Sequence, residues 1–187
     1  MRVISGSARG TKLKTVEGLG TRPTTDRIKE SLYNLIQSYI YDENVLDLFA
    51  GSGSLGIEAL SRGAESVTFV EQNRQCKSII EENLEKTRMI EKATILNTRV
   101  QDALRNLEQK KETFGLIIMD PPYNKGLITP VLKTIFERKL LGKEGIIVIE
   151  HEKNDILEDE VFSFRRIKCK HYGITTISIY KEADSCE

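Results

Sequence analysis

What this 187-residue chain has least of bounds it first. Its three cysteines, Cys76, Cys169 and Cys186, are scattered with no C-x-x-C pairing, which excludes a disulfide framework and a cysteine metal site. Its two histidines, His151 and His171, lie in unrelated contexts, so no histidine cluster exists and no metal is expected. His151 is expected to end a strand, not to act as a base. No apolar run reaches the roughly 18 residues that span a bilayer, and the first six residues lack the form of a signal peptide. Repeats, linkers and low-complexity stretches are missing too. These absences point to a reducing, cytoplasmic setting without a membrane. The length suits a single domain over residues 1–187, burying about 70% of the surface its unfolded chain exposes.

An excess of charge is also lacking: 28 basic residues balance 28 acidic ones, so the chain is not globally basic as many nucleic-acid binders are. The distribution is uneven. Residues 1–30 carry seven basic residues (Arg2, Arg9, Lys12, Lys14, Arg22, Arg27, Lys29) against three acids (Glu17, Asp26, Glu30). Arg165, Arg166, Lys168 and Lys170 follow one another with no acid between Val161 and Lys181, while Glu150, Glu152, Asp155, Glu158, Asp159 and Glu160 gather upstream. A basic N-terminus folded beside a site would make a local phosphate-binding face on a neutral protein.

The chain is organised around Val45-Leu46-Asp47-Leu48-Phe49-Ala50-Gly51-Ser52-Gly53-Ser54-Leu55-Gly56. An apolar run of strand length ends in a G-x-G-x-x-G cluster, and helical spacing (Ile57, Ala59, Leu60) follows directly. Strand, tight turn and helix in that order let the backbone approach a ligand at Gly51 and Gly53 while the helix aims free N–H groups into the same gap. A second run, Ser66-Val67-Thr68-Phe69-Val70, ends in Glu71, where a βαβ unit places its acceptor for ribose hydroxyls. Together they predict a nucleotide-like cofactor.

Residues 1–26 predict a basic extended arm or a small hairpin, whose removal over residues 1–20 leaves the sheet and cofactor site intact while weakening RNA binding. Residues 27–187 form the core. Ile28, Leu32, Leu35, Ile36 and Tyr39 mark a helix from Arg27 to about residue 41. The first strand, the glycine turn and a helix to about Arg62 follow, stopped by Gly63. After Glu71 comes a long amphipathic helix with Cys76, Ile79, Ile80 and Leu84 on its apolar face, making Cys76 a core residue. Residues 94–97 are a third strand, Asp102 opens a short helix, and residues 115–119 are a fourth strand whose continuous apolarity suits burial on both faces. A helix after Tyr123 and a fifth strand over residues 145–149 complete an alternating pattern. Residues 162–170 and 174–180 are separated by three residues, too few for a parallel crossover, so they must pair antiparallel.

Asp120-Pro121-Pro122-Tyr123 closes the fourth strand. In an open α/β sheet this turn faces the cofactor loop at the strands' carboxyl ends. Two prolines stiffen it and withhold their N–H, so the Asp120 carboxylate and Pro121 carbonyl aim outward beside the flat ring of Tyr123. Acceptors plus a ring suit a planar group bearing an NH₂, such as a nucleobase edge.

Asp47 to Gly53, Glu71, Asp102 and the Asp120 turn resemble the motif set of S-adenosylmethionine-dependent methyltransferases acting on exocyclic amines. More narrowly, Arg22-Pro23-Thr24-Thr25-Asp26-Arg27-Ile28-Lys29-Glu30-Ser31-Leu32-Tyr33-Asn34 and Lys170-His171-Tyr172-Gly173 are similar to the RsmD family, which methylates a guanine N2 in 16S ribosomal RNA. The resemblance covers essentially the whole chain. It implies a Rossmann-like methyltransferase fold: a seven-stranded, mostly parallel sheet with an antiparallel last strand and helices on both faces. It implies that Asp47, Gly51 and Gly53 hold the methionine end of S-adenosyl-L-methionine, Glu71 the ribose and Asp102 the adenine amine, with Phe49 also at the cofactor. Asp120, Pro121 and Tyr123 become the catalytic turn, with Arg22, Thr24, Tyr123 and Arg9 facing a ribosomal RNA substrate. A monomer is expected.

Other functions share parts of this pattern. A nicotinamide-dependent oxidoreductase explains the glycine loop and Glu71 but not the Asp120 turn. A non-catalytic RNA-binding module uses only the basic segments. DNA adenine-N6 and protein glutamine methyltransferases use a similar turn, commonly with Asn first, so Asp120 leans toward guanine.

Overall fold

The computed structural model describes residues 1–15, 26–123 and 125–183. Five parallel strands carry the βα alternation: β1 (Asn44–Leu48), β2 (Ser66–Val70), β3 (Ala93–Leu96), β4 (Phe114–Met119) and β5 (Leu141–Glu152). Their crossovers are α2 (Ser54–Ser61), α3 (Arg74–Thr87), α4 (Val100–Gln109) and α5 (Ile128–Glu137), with α1 (Asp26–Leu35) ahead of β1. The tail adds β6 (Glu160–Val161), β7 (Phe164–Tyr172) and β8 (Thr175–Glu182), giving the order β3-β2-β1-β4-β5-β8-β7-β6. β8 is inserted antiparallel between β5 and β7, and β6 pairs antiparallel with β7 at the edge.

The sheet divides two apolar clusters, as side chains alternate across the pleat. Leu32, Ile57, Val67, Leu116 and Ile177 lie in the one under α1, α2 and α3. Leu46, Leu104, Ile117, Leu132 and Tyr180 lie in the other, under α4 and α5. Cys76 is buried in α3, and His151 is buried within β5.

Three local expectations are corrected. An eighth strand, the two-residue β6, edges the sheet, because Phe162 turns in the left-handed region (φ 56°) where the sequence suggested strand. β5 continues past Ile149 to Glu152, since the β8 ladder runs on to Glu152 opposite Thr175 even though the residues turn polar. The first helix stops at Leu35 and tightens into a short 3₁₀ turn over Gln37–Tyr39, which buries both Ile36 and Ile40.

At the N-terminus, of the two forms expected, the small hairpin is the one found. The first 13 residues form it, with Arg2 opposite Lys12, and it is built into the body and is not an appendage. Val3 and Leu13 are buried. A Cβ on Gly6 would stand 1.6 Å from the Ser61 carbonyl, so only glycine allows this approach to α2. The Glu58 carboxylate, fully buried in α2, accepts the Ile4 and Ser5 N–H groups at 2.8 and 3.0 Å, the Lys29 ammonium at 3.2 Å and the Arg62 guanidinium at 2.8 Å. Lys29 also donates to the Arg2 carbonyl at 2.6 Å. Burial pulls the Lys29 pKa below its ordinary value, opposed by Glu58. Hairpin, α1 and α2 therefore meet on one desolvated ion pair, whose loss of either partner is costly. Removing residues 1–20 would strip that carboxylate of its backbone donors and uncover α2, all eight of whose residues are buried.

Candidate active site

Parallel register brings the predicted residues to one edge. Leu48 of β1 lies beside Val70 of β2 and Met119 of β4, so the chain leaves all three strands together into the glycine loop, Glu71 and Asp120. Ligands bind at such carboxyl ends in open α/β sheets.

The glycine loop is held from both sides. One Glu71 oxygen accepts the Gly51 N–H at 2.9 Å and the other the Asn73 N–H at 2.8 Å, tying the loop after β1 to the loop after β2. Phe49, Gly51 and Gly53 all have left-handed backbones, at φ 62°, 56° and 76°. At Phe49 that conformation costs a non-glycine residue of order 1 kcal/mol or more, a kind of strain common at functional loops. The two loop glycines differ in kind. A Cβ on Gly51 would face open space, the nearest atom being the Phe49 carbonyl at 4.0 Å. One on Gly53 would press on Ile80 and Phe69 at 3.2 to 3.4 Å, so Gly53 answers to the core as well as to φ. A Cβ on Gly56 would stand closer still, 2.3 Å from the Phe69 ring, so glycine there lets α2 lie on β2.

Asp47 sits behind this loop, 1% exposed. Its Oδ2 accepts the Gly56 N–H at 2.8 Å, but its Oδ1 has no partner among the described residues, and neither does the buried Ser54 hydroxyl. Burial pushes the Asp47 carboxyl up to about 7, the Gly56 bond pulls it down, and the Glu71 charge pushes it up. An orphaned acid oxygen and hydroxyl beside open space at Gly51 fit a ligand carrying a cationic amine; the amino-acid end of S-adenosylmethionine is one. Asp102 stands in the first turn of α4, half-buried, with its Oδ1 3.3 Å from Arg105.

In the turn after β4, Pro121 is buried, Pro122 exposed, and Asp120 and Tyr123 lie half-buried. The Tyr123 hydroxyl reaches Thr175 Oγ1 at 3.3 Å, so the first residue of β8 orients the ring. Nothing in the local sequence marked Thr175; it is brought here by the strand inserted between β5 and β7. Asn83 was missed too. It is 1% exposed on α3, its Oδ1 accepts the Lys14 N–H at 2.8 Å, and its Nδ2 donates to the Lys14 and Ser52 carbonyls at 3.0 Å each. It pins the end of the hairpin to the glycine loop. An amide on the apolar face of a predicted helix was the available signal.

The residues expected to face RNA are not gathered in the same way. Arg22 and Thr24 lie outside the described residues. Arg9 belongs to the hairpin turn, where Ser7 and Ala8 donate to the Ser61 carbonyl and hydroxyl at 2.8 and 3.0 Å. That is the opposite end of α2 from Gly51. Arg2 and Lys14 pair with Asp26 and Glu82, and Lys29 is buried on Glu58, so three of the seven N-terminal basic charges are already matched. Among the described residues no group of three potential metal ligands occurs, and no helix is long and apolar enough to cross a membrane. His151 bonds the Glu152 carbonyl and Ser178 hydroxyl at 2.9 Å each, and burial lowers its pKa.

Comparison with known proteins gives one answer. The family described as conserved hypothetical protein 95 matches residues 1–181. The ribosomal RNA small subunit methyltransferase D of Haemophilus influenzae is 35% identical over 97% of this chain and 93% of its own length. The protein of the same name from Escherichia coli is 37% identical over 81% and 75%. The solved structure of yhhF from Escherichia coli superposes with a TM-score of 0.86 at 32% identity, covering 99% of both chains. With a family match over nearly every residue and relatives more than a third identical along most of their length, this chain belongs to the RsmD family of S-adenosylmethionine-dependent methyltransferases.

Proposed function

We propose that this chain is a single-domain, monomeric, cytoplasmic enzyme that methylates the N2 amine of a guanine in small-subunit ribosomal RNA. The observation that carries this reading is the placement of the Asp120 turn on the strand next to the glycine loop, with Tyr123 braced by Thr175. The names of the relatives support the RNA class. S-adenosylmethionine, when bound, supplies a methyl group made electrophilic by its sulfonium. Asp47, Phe49, Gly51, Gly53, Glu71 and Asp102 are the residues to hold it.

The remaining task is the acceptor. A guanine N2 lone pair is delocalised into the ring, so the amine is a poor nucleophile until it pyramidalises and is held in line. Asp120 and the Pro121 carbonyl accept its two N–H bonds, favouring the developing ammonium-like nitrogen over the planar ground state. Asp120 then takes the released proton. Tyr123 supplies the stacking face for the extruded base, and its hydroxyl bond to Thr175 limits ring rotation, lowering the entropy lost on binding.

Incubation with labelled cofactor and separate pools of naked ribosomal RNA, assembled small subunits and DNA tests the reading. Label in N2-methylguanosine of small-subunit RNA is expected. Label only in DNA adenine or in protein would overturn it.

A further inference from the structure

The basic cluster near the C-terminus is unused by the site as described. β7 is antiparallel to β8, which is antiparallel to β5, so β7 runs parallel to the core and its last residue, Tyr172, reaches the catalytic edge. A register shift between Arg166 and Lys168 resets its alternation, turning Ile167 outward. Lys168, Lys170 and Tyr172 then stand opposite Ile179, Ile177 and Thr175, which sets them on one face of the sheet, the one under α1 to α3. Tyr172 packs part of its ring on that cluster. Lys168 and Lys170 are exposed and, among the described residues, form no ion pair, whereas Arg165 and Arg166 are matched by Glu160 and Asp159. Lys153, also exposed and unmatched, donates its N–H to the Ile174 carbonyl at 2.8 Å in the turn that follows. The next residue is Thr175, which touches Tyr123.

A continuous track therefore leads from Lys168 through Lys170, Tyr172 and the turn to the ring proposed to stack the target base. We propose that the single-stranded RNA flanking the target nucleotide lies along this stripe, its phosphates on Lys168, Lys170 and Lys153 and one base on Tyr172. Two lysines two residues apart on a strand stand about 7 Å apart, suited to contacting successive backbone phosphates. Tyr172 offers the sequence-tolerant stacking surface such grooves combine with positive charge. This face takes over the role first expected of the N-terminal hairpin, whose turn, with Arg9, sits at the far end of α2. The inference rests on the proposed RNA substrate.

The test uses the full chain, labelled small-subunit ribosomal RNA and a salt titration. Lys168→Gln/Lys170→Gln is expected to bind the RNA at least tenfold more weakly at low salt, with the slope of log affinity against log salt shallower by about 1.4 for two lost single-strand phosphate contacts. S-adenosylhomocysteine affinity stays at the parent value. Tyr172→Leu, which keeps the packing, lowers RNA affinity and leaves the slope unchanged. Methyl transfer by the parent is read in the same samples. If the parent transfers methyl to RNA while the double variant keeps the parent slope, the β7 track is overturned alone; if the parent transfers none to small-subunit RNA, naked or in assembled subunits, the functional reading falls and takes the track with it.

Discussion

Cofactor affinity should follow the charge on Asp47. Its carboxyl is buried, lacks a partner at Oδ1, and is pushed from 3.8 to about 7, first by burial and then by the Glu71 charge. A cationic amine delivered to that oxygen favours the ionised form, so binding draws on the ionised fraction. With a carboxyl near 7, that fraction rises from about 3% at pH 5.5 to about half at pH 7.0, and affinity should rise about fifteenfold across that window. The folded-state value lies above the unfolded one, so the folded chain holds the extra proton between pH 4 and 7 and loses stability as pH climbs through that range. The full conversion is about 4 kcal/mol, an upper figure for a site that relaxes. Asp47→Asn keeps the acceptor for the Gly56 N–H and cannot ionise. It should bind cofactor weakly with no pH dependence, and should melt higher than the parent at pH 8 but not at pH 4. Calorimetry of S-adenosylhomocysteine binding in two buffers of different ionisation enthalpy reads the affinity and the proton released near pH 6. An affinity flat from pH 5.5 to 7.0, with no proton released, would refute the reasoning.

Three further outcomes follow from single contacts. Gly53→Val places a branched Cβ at φ 76° against Ile80 and Phe69; cofactor affinity should fall tenfold or more, roughly 1.4 kcal/mol, together with the melting temperature, and calorimetry showing parent affinity would clear the loop of a binding role. At Asp120, Asn should keep partial single-turnover activity, since a charged acceptor is worth about 1 kcal/mol more than a neutral one, whereas Ala should lose most of it with cofactor affinity nearly intact; an Ala variant as fast as the parent would make Asp120 merely structural. Glu58→Ala leaves the Lys29 ammonium buried without its carboxylate and should cost about 3–5 kcal/mol in denaturant unfolding; a loss below 1 kcal/mol would mean the buried pair does not fasten the hairpin.

Residues whose role follows from local chain geometry were legible in the sequence. The glycine spacing, the acid closing the second strand and the proline turn closing the fourth each declare themselves within a dozen residues, and parallel strand register then brings them to one edge without further information. The antiparallel tail was legible for the same reason, because a three-residue connection permits nothing else. Residues whose role depends on long-range docking were not. Thr175 meets Tyr123 across 52 positions, Asn83 meets Lys14 across 69, and Glu58 meets Ile4 across 54.

The N-terminal segment shows how composition misleads when docking decides. Its charge and glycines suggested a basic arm or small hairpin that could be removed without loss of the core, yet the same features serve attachment. Gly6 is there to touch the Ser61 backbone, and Lys29 to neutralise Glu58. Arg2 donates to Asp26 at the start of α1, and Lys14 is matched by Glu82. Charges consumed this way cannot also neutralise phosphates. On β7 the arginines pair with Glu160 and Asp159, while the exposed Lys168 and Lys170 form no ion pair among the described residues. Pairing within the fold takes three of the seven basic charges of the first thirty residues and two of the four on β7, and the two that remain on β7, Lys168 and Lys170, lie on the strand that ends beside the catalytic turn.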